Sequence, residues 1–173
     1  NPAGVAFDGS GYGYVADLSG KVVVLDSGFS QVGQGVSISS SPNGVVFTGG
    51  NAYVTRYGGG NQGVYKFQTP TNAASLFASS TYFNSPTAIA VRINPLQFYV
   101  VNTGGAYSER SILKISADGS SVTTFLSATT QAHKLCAPTG IAIDGNDLYF
   151  ANSSCSGFTN SSYAGKIFKV TLP

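Results

Sequence analysis

At 173 residues with a formal net charge of +2, the chain is long enough to fold as one domain with a sizeable core. Its nine cations are dispersed without forming a basic stripe, so nucleic acid is not an expected partner; no apolar run approaches the ~18–20 residues of a membrane-spanning helix. Only 9% of residues are charged, against roughly 25% in an average globular protein, and Gly, Ser, Thr and Asn take the place of charge. That composition suits a secreted or surface-exposed protein, and the absence of any Met fits a trimmed, mature chain.

The predicted elements fall into four similar runs. The first opens with Pro2-Ala-Gly-Val-Ala-Phe7, turns through 8–13 and returns as Tyr14-Val-Ala-Asp17; a third apolar strand follows at 21–25 and an outer one near 31–36. The second opens with Pro42-Asn-Gly-Val-Val-Phe47, turns through 48–51 and returns as Tyr53-Val-Thr-Arg56, with further strands at 63–67 and 74–77. The third opens with Pro86-Thr-Ala-Ile-Ala-Val91, turns through 92–95 and returns as Tyr99-Val-Val-Asn102, with further strands at 111–115 and 121–126. The fourth opens with Pro138-Thr-Gly-Ile-Ala-Ile143, turns through 144–147 and returns as Tyr149-Phe-Ala-Asn152; a third strand at 166–170 is the last.

The four prolines are 40, 44 and 52 residues apart. A strand-built period of roughly 40–50 residues predicts an all-β fold, a β-propeller with blades of mostly four antiparallel strands. The blades are placed at about 1–40, 41–84, 85–136 and 137–173, in one domain or as part of a larger propeller, and the last lacks its outer strand. The strands are apolar at nearly every position rather than alternating, which predicts sheets covered on both faces, as stacked blades are. The small residue at Gly4, Gly44, Ala88 and Gly140 marks where the first strand crowds the axis, and the Pro before it, having no N–H, belongs at a strand start. Gly and Asn in the hairpin turns supply positive φ.

Pro-x-Gly-Ile-Ala-x-Asp, a Gly turn, then Tyr-Val-Ala-Asp, resembles the NHL repeat; 2–17 and 138–152 match it best, whereas Arg56 and Asn102 replace the terminal Asp in the middle repeats. The resemblance covers essentially the whole chain and implies the propeller fold, but not one activity. NHL-type propellers include protein- and RNA-binding platforms and a peptide-amidating lyase, with gluconolactonase among their relatives. Gluconolactonase-like relatives carry metal ligands at the starts of the innermost strands. The matching positions here are Ala3, Asn43, Thr87 and Thr139, and of these only Asn43 fits, too few ligands to hold a cation.

Cys136 and Cys155 flank the fourth hairpin. With Gly145-Asn146 as its turn, paired positions sum to 291 and so do the two cysteines, which predicts a disulfide and an oxidising compartment. Asn152-Ser-Ser and Asn160-Ser-Ser are N-glycosylation acceptors in the loop 152–165, expected to carry sugar in a eukaryotic source.

Chemistry-bearing residues are sparse. Asp17, Asn102 and Asn152 are expected to accept backbone N–H groups in the turn after the second strand. Asp144 and Asp147 form a weak candidate calcium turn, with no cofactor otherwise expected. The sole histidine, His133, reads as a solvated loop residue. The apolar edge at Ile167, Phe168 and Val170 lacks a partner strand and predicts pairing with a strand outside these residues or with a second copy. The reading is a secreted, non-catalytic scaffold or binding module for a protein or glycan ligand, as a subunit of an extracellular assembly or filament. The alternative is a metal-dependent lactonase or lyase whose other blades lie elsewhere.

Overall fold

A computed structural model describes residues 1–68, 73–129, 135–155 and 161–173. Four antiparallel sheets follow one another, each with its strands in sequence order. The first holds β1 (Pro2–Phe7), β2 (Gly13–Asp17), β3 (Lys21–Leu25) and β4 (Val36–Ser37). The second holds β5 (Pro42–Thr48), β6 (Asn51–Arg56), β7 (Gly63–Gln68) and β8 (Ser75–Ala78). The third holds β9 (Pro86–Arg92), β10 (Gln97–Asn102), β11 (Ser111–Ser116) and β12 (Val122–Ser127); the fourth holds β13 (Pro138–Asp144), β14 (Asp147–Asn152) and β15 (Ile167–Thr171). The first strands line one axis, β1 against β5, β5 against β9 and β9 against β13. These are the blades of a β-propeller.

The repeated Pro marks more than a strand start. In every blade the pairing of the first two strands slips by one position at the motif, between Pro2 and Gly4, Pro42 and Val45, Pro86 and Ala88, and Pro138 and Gly140. Pro is tolerated there because a bulge leaves a residue without a ladder bond. The small residue that follows lets neighbouring first strands touch backbone to backbone. A Cβ on Gly44 would lie 2.7 Å from the Thr87 carbonyl oxygen and 2.8 Å from the Ala88 Cα, and one on Gly4 would collide with the Asn43 carbonyl.

One core fills each space between blades. Tyr14, Val22 and Val24 meet Val45, Val54 and Phe67 between blades 1 and 2; Tyr53 and Ala78 meet Ile89, Phe98 and Leu113 between blades 2 and 3. Tyr99, Ile112 and Leu126 meet Leu148, Phe150 and Leu172 between blades 3 and 4. Each fully buried side chain of this size contributes roughly 1.5–3 kcal/mol.

Two expectations need correction. The sequence pattern predicts the outer strand of blade 1 at 31–36, but β4 is only Val36–Ser37, with a single bridge from Gln31 to Leu25 ahead of it. Gly33 and Gly35, at φ 63° and 81°, lift the chain out of extended geometry before Val36 rejoins the ladder. Coverage on both faces holds for the inner blades, but not for the outer ones. Val5 and Phe7 on β1 are 59% and 57% exposed, and Ile167 on β15 is 73% exposed. Among the described residues, no packing comparable to the other interfaces joins β13 back to β1.

Candidate functional site

Antiparallel order sends the connections after the second and fourth strands of each blade to one end of the propeller, and the tight hairpins to the other. At the first end, blades 2 and 3 contribute the segments 57–62, 79–85 and 103–110. These are stitched together by polar side chains. Buried Asn102, closing β10, accepts the Asn84 N–H at 3.3 Å through Oδ1 and donates through Nδ2 to the Tyr82 carbonyl and to Ser111 Oγ. Thr103 donates to the Ser85 carbonyl through its backbone N–H and its hydroxyl, at 3.1 and 2.9 Å. The Gln62 side-chain carbonyl accepts the Ser85 N–H.

The carboxylate of Glu109 is committed to the same framework. Glu109 accepts the N–H groups of Ala106 and Gly105 at 2.9 and 3.0 Å and the Asn84 amide at 2.9 Å. Those bonds, led by Ala106, hold its carboxyl below the usual range. Arg56 reaches Ser40 Oγ at 3.2 Å and the Tyr65 hydroxyl at 2.8 Å, bracing the entry to blade 2.

The stitched loops frame two adjoining clefts that share Thr81. The larger, about 490 Å³, is lined by Asn61, Gln62, Ser79 and Ser80 over Leu76 and Phe83. The smaller, about 270 Å³, is lined by Tyr82, Asn84, Ser108, Glu109, Ser111, Thr124 and Ser127. Tyr82 is 54% exposed at its rim, while its own carbonyl is held by Asn102. The lining is therefore mainly hydroxyl and amide, with Leu76 and Phe83 in the larger cleft, the Glu109 carboxylate in the smaller one and an aromatic ring at the edge.

The residues singled out from sequence do not converge there. Asn43 lies on β5 at the axis, with its carbonyl against Gly4. Among the described residues no three His, Cys, Asp or Glu side chains come together as a metal site. Asp144 and Asp147 face each other across the hairpin at the opposite end of the molecule. Asp147 is already occupied: it accepts Lys169 Nζ at 2.6 Å and the Thr171 hydroxyl at 3.0 Å, and Lys169, the larger cause, keeps its carboxyl low.

Cys136 and Cys155 form a disulfide with Cα atoms 5.0 Å apart, at the loop end of blade 4. Asn152 departs from expectation. It is 2% exposed at the end of β14, so the acceptor read as part of an exposed loop points into the protein. Asn160 and His133 lie outside the described residues. Asp17 does accept the Ser19 N–H in the following turn, at 2.9 Å, but Asn102 instead braces the loop ahead of β9. The edge residues divide as well: Phe168 and Val170 pack inward on the third core, Phe168 stacking on Phe150 at 5.3 Å, and only Ile167 faces out. Sequence reading missed the Asn84–Asn102–Glu109 brace and Tyr82. The signal was slight, an Asn-Ser pair before Pro86 and a Gly-Gly turn before Glu109.

No family model matches the chain, and no curated protein does. Solved structures do. A PQQ-bound aldose sugar dehydrogenase from Streptomyces coelicolor superposes with a TM-score of 0.72 at 13% identity, over 99% of this chain and 62% of that one. A gluconolactonase from Xanthomonas campestris gives 0.65 at 13% identity, over 99% and 57%. A chain of a nidogen/laminin complex gives 0.55 at 14% identity, over 87% and 71%. Identities this low establish the class, a β-propeller, and leave activity to the site. The present chain spans about three-fifths of the two enzyme chains.

Proposed function

We propose that this chain is the ligand-binding part of a secreted, non-catalytic NHL-like propeller, and that the loop-end cleft of blades 2 and 3 takes a neutral, hydroxyl-rich ligand, a glycan. The observation that carries this reading is the cleft itself: amide and hydroxyl groups around an exposed Tyr82, on loops braced by buried Asn102. Sugar hydroxyls pair with such groups, and an aromatic face covers the C–H face of a pyranose. Glu109, with three donors already on it, serves as a brace rather than as an acid or base. The disulfide is consistent with an extracellular or periplasmic location. The Pro-x-small-apolar and Tyr-Val-Ala-Asp lines support the NHL reading, and the unpaired side of β15 supports a role within a larger assembly.

A glycan array followed by titration calorimetry tests it. Binding of a neutral oligosaccharide, weakened about tenfold by Tyr82→Ala, supports the reading. Protein-only binding at the same cleft would replace glycan with protein as the ligand. Calcium-dependent lactone hydrolysis lost in Asn43→Ala would overturn the reading in favour of the enzyme.

A further inference from the structure

Each interface between blades joins two different kinds of sheet face. One carries the tyrosine of the second strand: Tyr14, Tyr53 and Tyr99 are 0%, 6% and 0% exposed, each buried against the next blade. The other carries the apolar residues of the first strand, such as Val45 and Ile89, each 6% exposed. Blade 4 presents a tyrosine face, with Tyr149 only partly covered, Lys169 opposite it with Nζ 5.9 Å from its ring centroid, and Ile167 exposed two pairs further along. Blade 1 presents a receiving face, with Val5 and Phe7 more than half exposed. Val5 occupies the motif position of Val45. Both halves of a fourth interface are thus present, and they do not meet.

We infer that further blades of this repeat, in the same polypeptide, fill the space between these two faces. The next blade seats on Tyr149 and Ile167, and the last offers its own tyrosine to Val5 and Phe7. The backbone gives independent support. Gly4 and Gly44 are small because the next first strand abuts them, whereas a Cβ on Gly140 meets only Ala151 of its own sheet, at 3.8 Å. Gly140 thus has the room that an arriving first strand takes up. Continuity in one polypeptide rests on the two bacterial enzyme chains, in each of which 99% of this arc lies on about three-fifths of a single longer chain.

The test compares the 173-residue chain with one lengthened after Pro173 by a copy of its own residues 26–128, which supplies a fourth strand beside β15 and two whole blades. The lengthened chain should be monomeric, with amide exchange on β1, β14 and β15 slowed about tenfold or more. Gly140→Ala, harmless in the short chain, should then lower its melting temperature. Added blades that fold while exchange on β1 and β15 stays unchanged would overturn the inference. So would a discrete dimer of the short chain dissolved by both Val5→Asp and Ile167→Asp, which assigns the faces to a second copy. Should the lengthened chain not fold, the intact mass of the natural protein decides: a mass well above 17.8 kDa supports the inference and 17.8 kDa overturns it.

Discussion

Thr55 ties blade 2 to blade 3 at the axis: its hydroxyl accepts the Gly44 N–H at 2.8 Å and lies 3.2 Å from the Thr87 carbonyl oxygen, to which it donates. The same position in blades 1 and 4 holds Ala16 and Ala151, and in blade 3 Val101, none of which has a hydroxyl. The fully buried Thr55 is therefore a polar clamp in an apolar place, at the bulge where Gly44 has slipped from the ladder.

Thr55→Val keeps the shape and removes the clamp, leaving the Gly44 N–H and the Thr87 carbonyl short of a partner. A loss of about 1–3 kcal/mol is expected in urea unfolding, largely restored by Thr55→Ser. A valine variant as stable as the parent would show that the hydroxyl is dispensable.

Gly44→Ala forces a methyl to 2.7 Å from the Thr87 carbonyl and should destabilise by about 1–3 kcal/mol, because backbone atoms on the facing strand cannot step aside. Gly140→Ala in the 173-residue chain should stay within about 0.5 kcal/mol of the parent. Thermal melts of the two variants side by side give the comparison, and equal losses would contradict the account of the axis.

The Cys136–Cys155 bridge closes a loop of sequence separation 19 around the fourth hairpin. On the chain-entropy model such a loop is worth about 3 kcal/mol, so reduction, or the double change to Ser, should lower the melting temperature with the fold retained. Two free thiols in the denatured, unreduced protein would refute the bond.

What could be read from the sequence was whatever repeats. The four Pro lines and the four Tyr lines located the first and second strands, because a stacked blade needs a small residue at the axis and a large one between sheets. The cysteine pairing could be read because hairpin register is additive: Gly140 to Asp144 pair at a constant sum of 291, and the bulge at Pro138 shifts the ladder without parting the sulfurs. Asn152 could not be read, since an Asn-Ser-Ser triplet carries no sign of which way its side chain points, and only the folded chain buries it at the end of β14. The cleft around Tyr82 was equally hidden. Its geometry rests on hydrogen bonds that Asn102, Gln62 and Glu109 make with loops that have no period. The open faces left no trace either, because Val5 and Val45 look alike in sequence and differ only in what comes to cover them.

Acid should loosen the fold over a narrow window. Asp118 is held by the Ser116 hydroxyl at 2.6 Å and by the Ser120 N–H and hydroxyl at 3.1 and 2.8 Å, which brings its carboxyl down to about 2. Asp17, held first by the Ser19 N–H, also falls to about 2. Both start from 3.8 in the unfolded chain. A carboxyl depressed by folding contributes its stabilisation in full above the unfolded value and loses it as pH drops toward the folded value. Stability should therefore be level above about pH 5 and decline between about pH 4 and pH 2. Asp118 is exposed and Asp17 partly so, so the decline is shallow and shared with the other acids. Asp118→Asn should flatten part of it while leaving the neutral-pH fold in place, read as urea midpoints at pH 2.5, 4 and 7. An unchanged slope in that variant would mean the Ser116–Ser120 turn does not depend on the charge of Asp118.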